Sequence, residues 1–579
     1  QHNRSEMMRS TTLAIAVTLL IVMLSVATTI DGKMTLSQMR KNRGSGQQRV
    51  DAQGHQLSQL EYLKQTRAAN PITQVRSTPQ QFQVNSLPGL DPSVNITHYA
   101  GYLNVDQENN GNLFFWFIQA NVSNPMDYPV LIWINGGPGC SSMDGLFIEN
   151  GPFRVVSNNQ SSSGYNVNIN PSSWHNTANM LYIDEPVGTG FSYVLNANGY
   201  VRNDNDLEVD FYMFLQEFYK VFVDFHPLPL YMSGESYAGH YIPHYANYVL
   251  QMNTAIANQS LTNFSMINLA GLAIGNGWTH PVTQYDSYSK QAYGIGIISQ
   301  DQYNAYKPLV SACQAQINRG IYNSNECNDV LGQLSDDSGT ANTSQVNVYD
   351  YRLYESNSSP DWPPGCDDEA LYLSDSKVRL AIHVDNATYS APTEWSECNE
   401  TSSQFLTNID ESSLHLFPYL LANLRVLVYN GQFDIICNHV GTQEYLSAMQ
   451  WNGAAQWANQ ERSMWFAEKD GSLQTAGYFK GPVQNLTFML VLGGSHMVPM
   501  DEPEFSFEMI SKFVTNVAYN SLLQSNGTIP RTQKIITSPI TETAWILIVV
   551  SGFIAGLIIG VVAVVLYVRS KESYTYTRI

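Results

Sequence analysis

The sequence predicts an α/β fold, in which parallel strands alternate with helices around one large sheet, and three observations carry that prediction. Short apolar runs that read as buried strands recur along much of the chain, stretches of helical length lie between them, and one strand ends in Gly234-Glu235-Ser236-Tyr237-Ala238, a tight turn that leads straight into a helical pattern. The 579 residues are 44% hydrophobic and 13% charged, which supplies apolar side chains for one large core and too little charge for a disordered chain. A formal net charge of -20 repels polyanions, so no nucleic acid is expected as a partner.

The elements follow in chain order. After Met7-Met8-Arg9, an apolar stretch from about Leu13 to Val26 ending in small residues reads as a signal peptide, placed at 7–30. Residues 31–86 are rich in Gln, Arg and Ser with little apolar periodicity and are expected to be a disordered leader or propeptide, with the folded domain at 87–520. Strands are expected at Ala100–Leu103, Leu113–Ile118, Pro129–Ile134 and Leu181–Ile183, and a helix at Leu207–Val223 with acids toward its start. Leu230–Ser233 is the strand before Gly234, and Tyr237–Gln251 has helical length. The β/α series resumes at Val426–Tyr429 and Phe488–Leu492, after a polar, cysteine-containing stretch at about 280–375 that reads as an inserted cap. Residues 521–543 are Ser/Thr/Asn-rich, a polar stalk by composition. The uncharged run 544–568 is long enough to cross a bilayer. Arg569, Lys571 and Arg578 follow it, so the tail 569–579 is expected in the cytosol and the bulk of the chain in the lumen, a single-pass type I arrangement.

A lumenal placement agrees with the glycosylation sequons at Asn95, Asn121, Asn159, Asn258, Asn263, Asn342, Asn357, Asn386, Asn399, Asn485 and Asn526. Six cysteines, Cys140, Cys313, Cys327, Cys366, Cys398 and Cys437, suggest disulfides in that compartment. No CxxC pair or His-rich cluster calls for a metal, and no cofactor is expected.

Gly-x-Ser-x-Ala between a strand and a helix is close to the nucleophile-elbow pattern. Small neighbours let the backbone take the strained turn that lifts the Ser236 hydroxyl out of the sheet, and the helix N-terminus adds positive potential. A nucleophilic serine needs a histidine base and a carboxylate that orients it; in α/β-hydrolases these follow in the order Ser, Asp/Glu, His. Asp434, just past the run Val426–Tyr429, and His496, just past Phe488–Leu492, stand in that order. The α/β-hydrolase fold is therefore expected, while an Asp in a turn and a lone His after a strand also have ordinary structural readings.

Longer motifs narrow the reading. Asn135-Gly136-Gly137-Pro138-Gly139-Cys140-Ser141-Ser142, Gly234 to Gly239, His496-Met497-Val498-Pro499, Asp184 to Tyr193 and Gly275-Asn276-Gly277-Trp278 together resemble the serine carboxypeptidase family over about Leu87 to Val517. The resemblance implies Ser236 as nucleophile, His496 as general base and then acid, and Asp434 as the residue that holds the imidazole. It implies an oxyanion hole from the Gly137 and Tyr237 N–H groups, each worth roughly 3 kcal/mol in the transition state. It also implies that Asn135, Glu149 and Glu235 bind the free C-terminal carboxylate of a peptide or protein substrate. Two acids beside a carboxylate require a proton on at least one of them, so acidic pH should favour activity. Cys140 is expected to pair with Cys398 by the same resemblance, the other pairings being open. Cys437 resembles a family position that can be a thiol near the substrate pocket, which would leave an odd cysteine elsewhere.

Ser142-Met143-Asp144-Gly145, Glu149 to Arg154 and the membrane helix resemble the Kex-type pheromone-processing carboxypeptidases of fungi. That resemblance implies trimming of C-terminal Lys and Arg in the secretory pathway, at the trans-Golgi network membrane. Asp144 and Met497 are candidates for the pocket of the departing residue, with Asp144 either pairing with a Lys or Arg side chain or serving as a turn or cap residue. Gln432, Ser495 and the basic leader depart from the family pattern. Three other readings stand beside this one: a broad-specificity vacuolar or extracellular carboxypeptidase, a catalytically idle α/β-hydrolase ectodomain for adhesion or reception, and an acyltransferase in which an alcohol instead of water intercepts the acyl-enzyme.

Overall fold

Strands buried on both faces need apolar side chains at every position, and β3 (Val130–Ile134) is such a strand, with all five residues buried. It lies in a ten-stranded sheet with β1 (His98–Asp106), β2 (Gly111–Ile118), β6 (Asn179–Ile183), β7 (Leu230–Glu235), β8 (Leu269–Gly275), β11 (Arg425–Gly431), β12 (Ser463–Lys469), β13 (Ser472–Val483) and β14 (Leu486–Val491). The order across the sheet is β1-β2-β6-β3-β7-β8-β11-β14-β13-β12. The run from β6 to β14 is parallel, and an antiparallel hairpin extends each edge. Two short ladders stand apart, β4 (Phe153–Ser157) with β5 (Tyr165–Ile169) and β9 (Gln345–Val346) with β10 (Tyr354–Glu355). The computed structural model describes residues 77–520 apart from 162, 340–343, 356–361, 386–394, 400–401 and 403–405. The expected signal peptide, stalk, membrane segment and tail, and most of the leader, lie outside the described residues. Among the described residues no helix is long and apolar enough to cross a membrane.

Strand alternation divides the interior into two cores. Phe115, Phe117, Ile132 and Ile134 belong with helices α1 (Asp204–Val221) and α2 (Ala238–Ala257), whereas Phe114, Trp116, Leu131 and Trp133 belong with residues of the C-terminal helix Pro503–Thr515. Helix α1 starts three residues before the expected Leu207, because the Asn203 side chain accepts the Asp206 N–H and caps the first turn. Between β8 and β11 the chain forms α3 (Pro281–Gly294), α4 (Gln300–Ile317), α5 (Asn325–Asp337) and α6 (Cys366–Ser374), and the Cys313–Cys327 disulfide ties α4 to α5. A second disulfide joins Cys140 to Cys398, the pairing expected from the resemblance. Cys366 and Cys437 are buried and lie outside these two disulfides. Of the sequon asparagines, Asn95, Asn121, Asn159, Asn258 and Asn263 are exposed. Asn399 and Asn485 are half-buried, and their Nδ2 groups donate to the carbonyls of Gly188 and Leu421, each at 2.8 Å. Asn342, Asn357, Asn386 and Asn526 lie outside the described residues.

The described chain includes residues before the expected boundary at Leu87. Ala100 N–H donates to Phe82 O at 2.8 Å and Val84 N–H donates to His98 O at 3.0 Å, so residues 82–84 run along β1. The Phe82 ring fills the space over Gly101, where a Cβ would come within 2.7 Å of it, and lies 5.4 Å from the Phe115 ring. Two apolar residues at alternate positions, Phe82 and Val84, suffice to anchor a segment whose overall composition reads as polar leader. Phe82→Ala is expected to destabilise the domain by roughly 1–3 kcal/mol, measured by thermal or denaturant unfolding, with little change in kcat. A variant as stable as the parent would make residues 77–86 a dispensable tail.

Candidate active site

The expected triad and the Asn135-Gly136-Gly137 segment emerge just past the C-terminal ends of parallel strands, where ligands bind in open α/β sheets. Asn135 and Gly137 follow β3, Ser236 follows β7, Asp434 follows β11 and His496 follows β14, and β8 lies between β7 and β11. The sheet order thus gathers residues separated by hundreds of positions in sequence.

The turn after β7 places Ser236 at φ 59°, a left-handed conformation that costs a non-glycine residue energy and is held by its neighbours. Ser236 N–H donates to Gly275 O at 3.1 Å, and Ser236 O accepts from Trp278 N–H at 2.7 Å, so the end of β8 and the loop after it fix both sides of the turn. Gly136 is required by close approach, since a Cβ there would collide with Tyr237 N and lie 2.6 Å from Ser236 Cβ. The loop carrying Gly137 is thereby pressed against the Tyr237 amide, as an oxyanion site built from those two N–H groups needs.

Asp434 is fully buried and His496 nearly so, and His496 Nδ1 lies 3.0 Å from Asp434 Oδ2. Their loops are joined by backbone bonds: Gln432 N–H donates to Val491 O at 3.1 Å and Phe433 N–H donates to Gly494 O at 2.8 Å. The same Asp434 oxygen accepts from Asn276 Nδ2 at 2.8 Å and from Cys437 N–H at 3.2 Å. Asn276 Oδ1 in turn accepts Gly431 N–H at 3.1 Å. Asn276 is a functional residue that sequence reasoning left without a role; its signal was the Gly275-Asn276-Gly277-Trp278 motif immediately after a buried strand. On the other side of His496 stands an aromatic pair also missed. The Tyr349 ring meets the imidazole edge-on at 5.0 Å and stacks on Trp362 at 4.9 Å, and Tyr349 O accepts the His496 N–H at 2.9 Å.

The three residues expected to bind a carboxylate lie together. Asn135 Nδ2 donates to Glu149 Oε1 at 3.1 Å and lies 3.3 Å from Glu235 Oε1. Asn135 Oδ1 accepts from Trp133 Nε1 at 2.7 Å and from Gly145 N–H at 3.2 Å, so the amide can present only its NH2 to the two acids. Both glutamates are buried. Burial raises each carboxyl above the ordinary range, the Glu149 charge raises Glu235 further, and a hydrogen bond between the two carboxyls favours the proton on Glu235. The His496 charge acts on Glu149 and the Asp434 charge on Glu235, which puts the pair beside the catalytic candidates.

Asp144 is buried and makes no side-chain cap hydrogen bond to the π-helical turn Gly145–Glu149 that it precedes, so the helix-cap reading finds no support. Its carboxyl is raised by burial and then by the charges of Glu369, Glu397, Glu149 and Glu235. Glu369, from α6, hydrogen-bonds to Asp144 and is raised by burial and by Glu397. Neither acid was singled out in the sequence, because both fall in polar stretches where single acids are unremarkable. Met497 follows His496 and is buried. Beneath the Ser141-Ser142 loop, Asp184 accepts from Ser141 Oγ at 2.6 Å and Ser142 N–H at 3.1 Å, and burial pushes its carboxyl up to about 7. Burial likewise pushes Glu185 up to about 8, where it accepts the Tyr245 hydroxyl.

A serine on a strained strand-to-helix turn, a histidine held by a buried aspartate, and a parallel sheet that brings them to one edge define the class of α/β-hydrolase-like serine hydrolases. Within that class the chain belongs to the serine carboxypeptidase family, whose profile matches residues 88–516. It is 50% identical over 508 residues to serine carboxypeptidase S10 family member 2 of Dictyostelium discoideum, covering 87% of each chain. It is 37% identical over 459 residues to the pheromone-processing carboxypeptidase KEX1 of Verticillium alfalfae, covering 76% of this chain and 68% of that one. Among solved structures, the prohormone-processing carboxypeptidase Kex1(Δ)p of Saccharomyces cerevisiae matches with a TM-score of 0.68 at 30% identity, over 78% of this chain and 98% of that chain.

Asn276→Ala removes a hydrogen bond to a buried carboxylate and is expected to lower kcat roughly 10- to 100-fold, with a smaller change in KM, in steady-state assays. The raised carboxyls set a pH dependence of stability. Each holds its proton more tightly folded than unfolded, so the stability it contributes is complete below the ordinary carboxylate range near about pH 4 and is lost as pH rises through the folded values. With Asp184 at about 7 and Glu185 at about 8, the melting temperature is expected to fall from pH 5 to pH 8. A flat or rising profile over that interval would contradict the assignment.

Proposed function

We propose that this chain removes C-terminal residues from peptides through an acyl-enzyme on Ser236. His496 takes the hydroxyl proton as Oγ bonds to the scissile carbonyl carbon, and returns it to the departing amine as the C–N bond breaks. Water then repeats the sequence: His496 takes its proton, the new acid forms, and the proton returns to Ser236. Asp434, fixed by Asn276, keeps the imidazole in the tautomer that accepts at Nε2, and the Gly137 and Tyr237 N–H groups hold the oxyanion. The observation that carries the exopeptidase reading is the buried Glu149–Glu235 pair under Asn135. With a proton on the pair it donates to a substrate carboxylate; with both acids ionised it repels one. Activity is therefore greatest in acid, where the pair keeps its proton.

The residue released is Lys or Arg. Asp144, Glu369 and Glu397 form an acidic group in electrostatic reach of the Glu149–Glu235 pair. Buried acids of this kind ionise at low cost only when a cation arrives to pair with them, which favours a basic side chain over an apolar one. Met497 would line the same pocket. Helices α3–α5 and the chain around Tyr349 and Trp362 act as an inserted cap over the site. The apolar run 544–568 and the sequons support a type I membrane anchor with the catalytic domain in the lumen of the secretory pathway, toward the trans-Golgi network. The names of the relatives, which describe pheromone and prohormone processing, support the same setting.

Matched peptides ending in Arg and in Leu, assayed against the full chain between about pH 4 and 8, test this reading. Release of Arg should exceed release of Leu, fall as pH rises, and vanish in Ser236→Ala. Asp144→Asn should lower kcat/KM for Arg roughly 10-fold or more while leaving Leu nearly unchanged. Release that survives Ser236→Ala would remove the nucleophile assignment, and an undiminished Arg preference in Asp144→Asn would remove the pocket assignment.

A further inference from the structure

A second cluster of chemistry-bearing side chains lies outside the residues proposed for catalysis. His240 and His244 are four residues apart on α2, so they share a helix face, and their rings stack with centroids 4.6 Å apart. Asp204 and Glu208 are likewise four residues apart on α1. The packing of α1 against α2 sets the two pairs opposite each other. His240 Nε2 lies 2.7 Å from Asp204 Oδ1, His244 Nε2 lies 3.6 Å from Asp204 Oδ2, and His244 Nδ1 lies 3.2 Å from Glu208 Oε1. One ligand atom from each of Asp204, His240 and His244 falls within 4.8 Å of the others.

We propose that Asp204, His240 and His244 bind a divalent transition-metal ion, of which Zn2+ is the best match. Two imidazoles spaced i, i+4 on one helix face plus one carboxylate is a borderline-soft N2O donor set, which suits Zn2+, Cu2+ or Ni2+ and not Mg2+ or Ca2+. The histidine chemistry fits. His244 Nδ1 lies 3.2 Å from Glu208 Oε1, so with an ion bound Nδ1–H donates to Glu208 and Nε2 turns its lone pair toward the side of Asp204. That nitrogen is buried and makes no hydrogen bond, a costly arrangement for a polar atom unless something binds there. Glu208–His244–ion is the carboxylate–histidine–metal arrangement that orients ligating imidazoles, and Asn408 Nδ2, at 2.6 Å from Asp204 Oδ2, steadies the carboxylate in the same way. Tetrahedral coordination at Zn–N and Zn–O lengths of about 2.0–2.1 Å sets donor atoms about 3.4 Å apart. The His244–Asp204 separation already suits it, and the His240–Asp204 separation reaches it by a small rotation of the carboxylate. A water completes the fourth position.

No metal was legible in the sequence, because Asp204 and Glu208 lie on one helix and His240 and His244 on another, with no cysteine and no dense histidine run among them. The consequence concerns the neighbouring turn. His240 is four residues after Ser236, and the Tyr237 ring stacks on the His240 ring at 5.1 Å. An ion here fastens the first turn of α2 to the start of α1, and so steadies the backbone that carries Ser236 and Tyr237. Its role is to position and stabilise, with no part in the bond-breaking step.

The full chain, stripped with a chelator, would be titrated with Co2+ and with Zn2+ between about pH 7 and 8, where a metal ion competes better with protons for imidazole. Asp434, Cys437 and His496 also lie within 4.8 Å of one another, so the double variant Cys437→Ser/His496→Ala is included to remove binding at that group. Expected are visible Co2+ bands of a low-symmetry N/O site without thiolate charge transfer, displacement by Zn2+, and a rise in melting temperature with Zn2+, all retained in the double variant. His244→Gln and Asp204→Asn should each weaken Zn2+ binding roughly 10- to 100-fold and abolish the thermal shift, with circular dichroism showing that they fold. Absence of Zn2+ binding and of any thermal shift in the parent protein would overturn the proposal. So would binding that persists in both His244→Gln and Asp204→Asn and disappears in the double variant. If His244→Gln does not fold, Asp204→Asn alone decides.

Discussion

One proton, shared by two buried carboxyls, is the constraint on which the rest of this site turns. Glu149 and Glu235 come from different elements, a π-helical turn and the end of a central strand, and meet in the interior within reach of a single amide. Two ionised acids so close and so dry would repel each other and lose their hydration, so the stable arrangement keeps a proton between them. Asn135 cannot relieve the pair by turning over, because Trp133 Nε1 and Gly145 N–H hold its carbonyl end. The site is therefore a fixed donor surface whose charge depends on pH, set beside a histidine–aspartate pair.

The scaffold serves that juxtaposition. Successive neighbours in the sheet, β3, β7, β8, β11 and β14, each end in a loop that contributes one part: the amide clamp, the serine turn, Asn276, the aspartate and the histidine. Glycines let these loops touch. A Cβ on Gly136 would strike the Tyr237 amide, one on Gly239 would come within 2.7 Å of Trp278 N, and one on Gly431 would strike the carbonyl of Ser495. The strained φ of Ser236 is sustained by two backbone bonds to the end of β8 and the loop after it, the same loop that supplies Asn276 to Asp434. The Ser236 turn and Asp434 are thus referred to one common support.

What the sequence disclosed follows the range of the interactions involved. Strands such as Val130–Ile134 were legible because a strand covered on both faces leaves a continuous apolar run, and the serine turn was legible because its glycines and flanking elements are local. Asp434 and His496 were named from their order after strands, and their pairing is a long-range contact that only the sheet provides. The packing of residues 82–84 on β1, ahead of the expected boundary at Leu87, was not legible because Phe82 and Val84 are two apolar residues in a polar stretch, and their value depends on the space over Gly101. Glu369, Tyr349 and Trp362 were illegible for a related reason. They lie between β8 and β11, in chain whose composition says insertion and whose packing alone says that it meets Asp144 and His496.

The most direct test of the account compares two substrates that differ only at the C-terminus, a peptide acid and its amide, by kcat/KM between about pH 5 and 8. The account predicts that the advantage of the acid over the amide is large at low pH and shrinks as pH rises, through a rising KM for the acid, because only the acid meets repulsion once the Glu149–Glu235 pair ionises. An acid-to-amide ratio that stays constant or grows with pH would contradict the shared proton as the origin of C-terminal recognition.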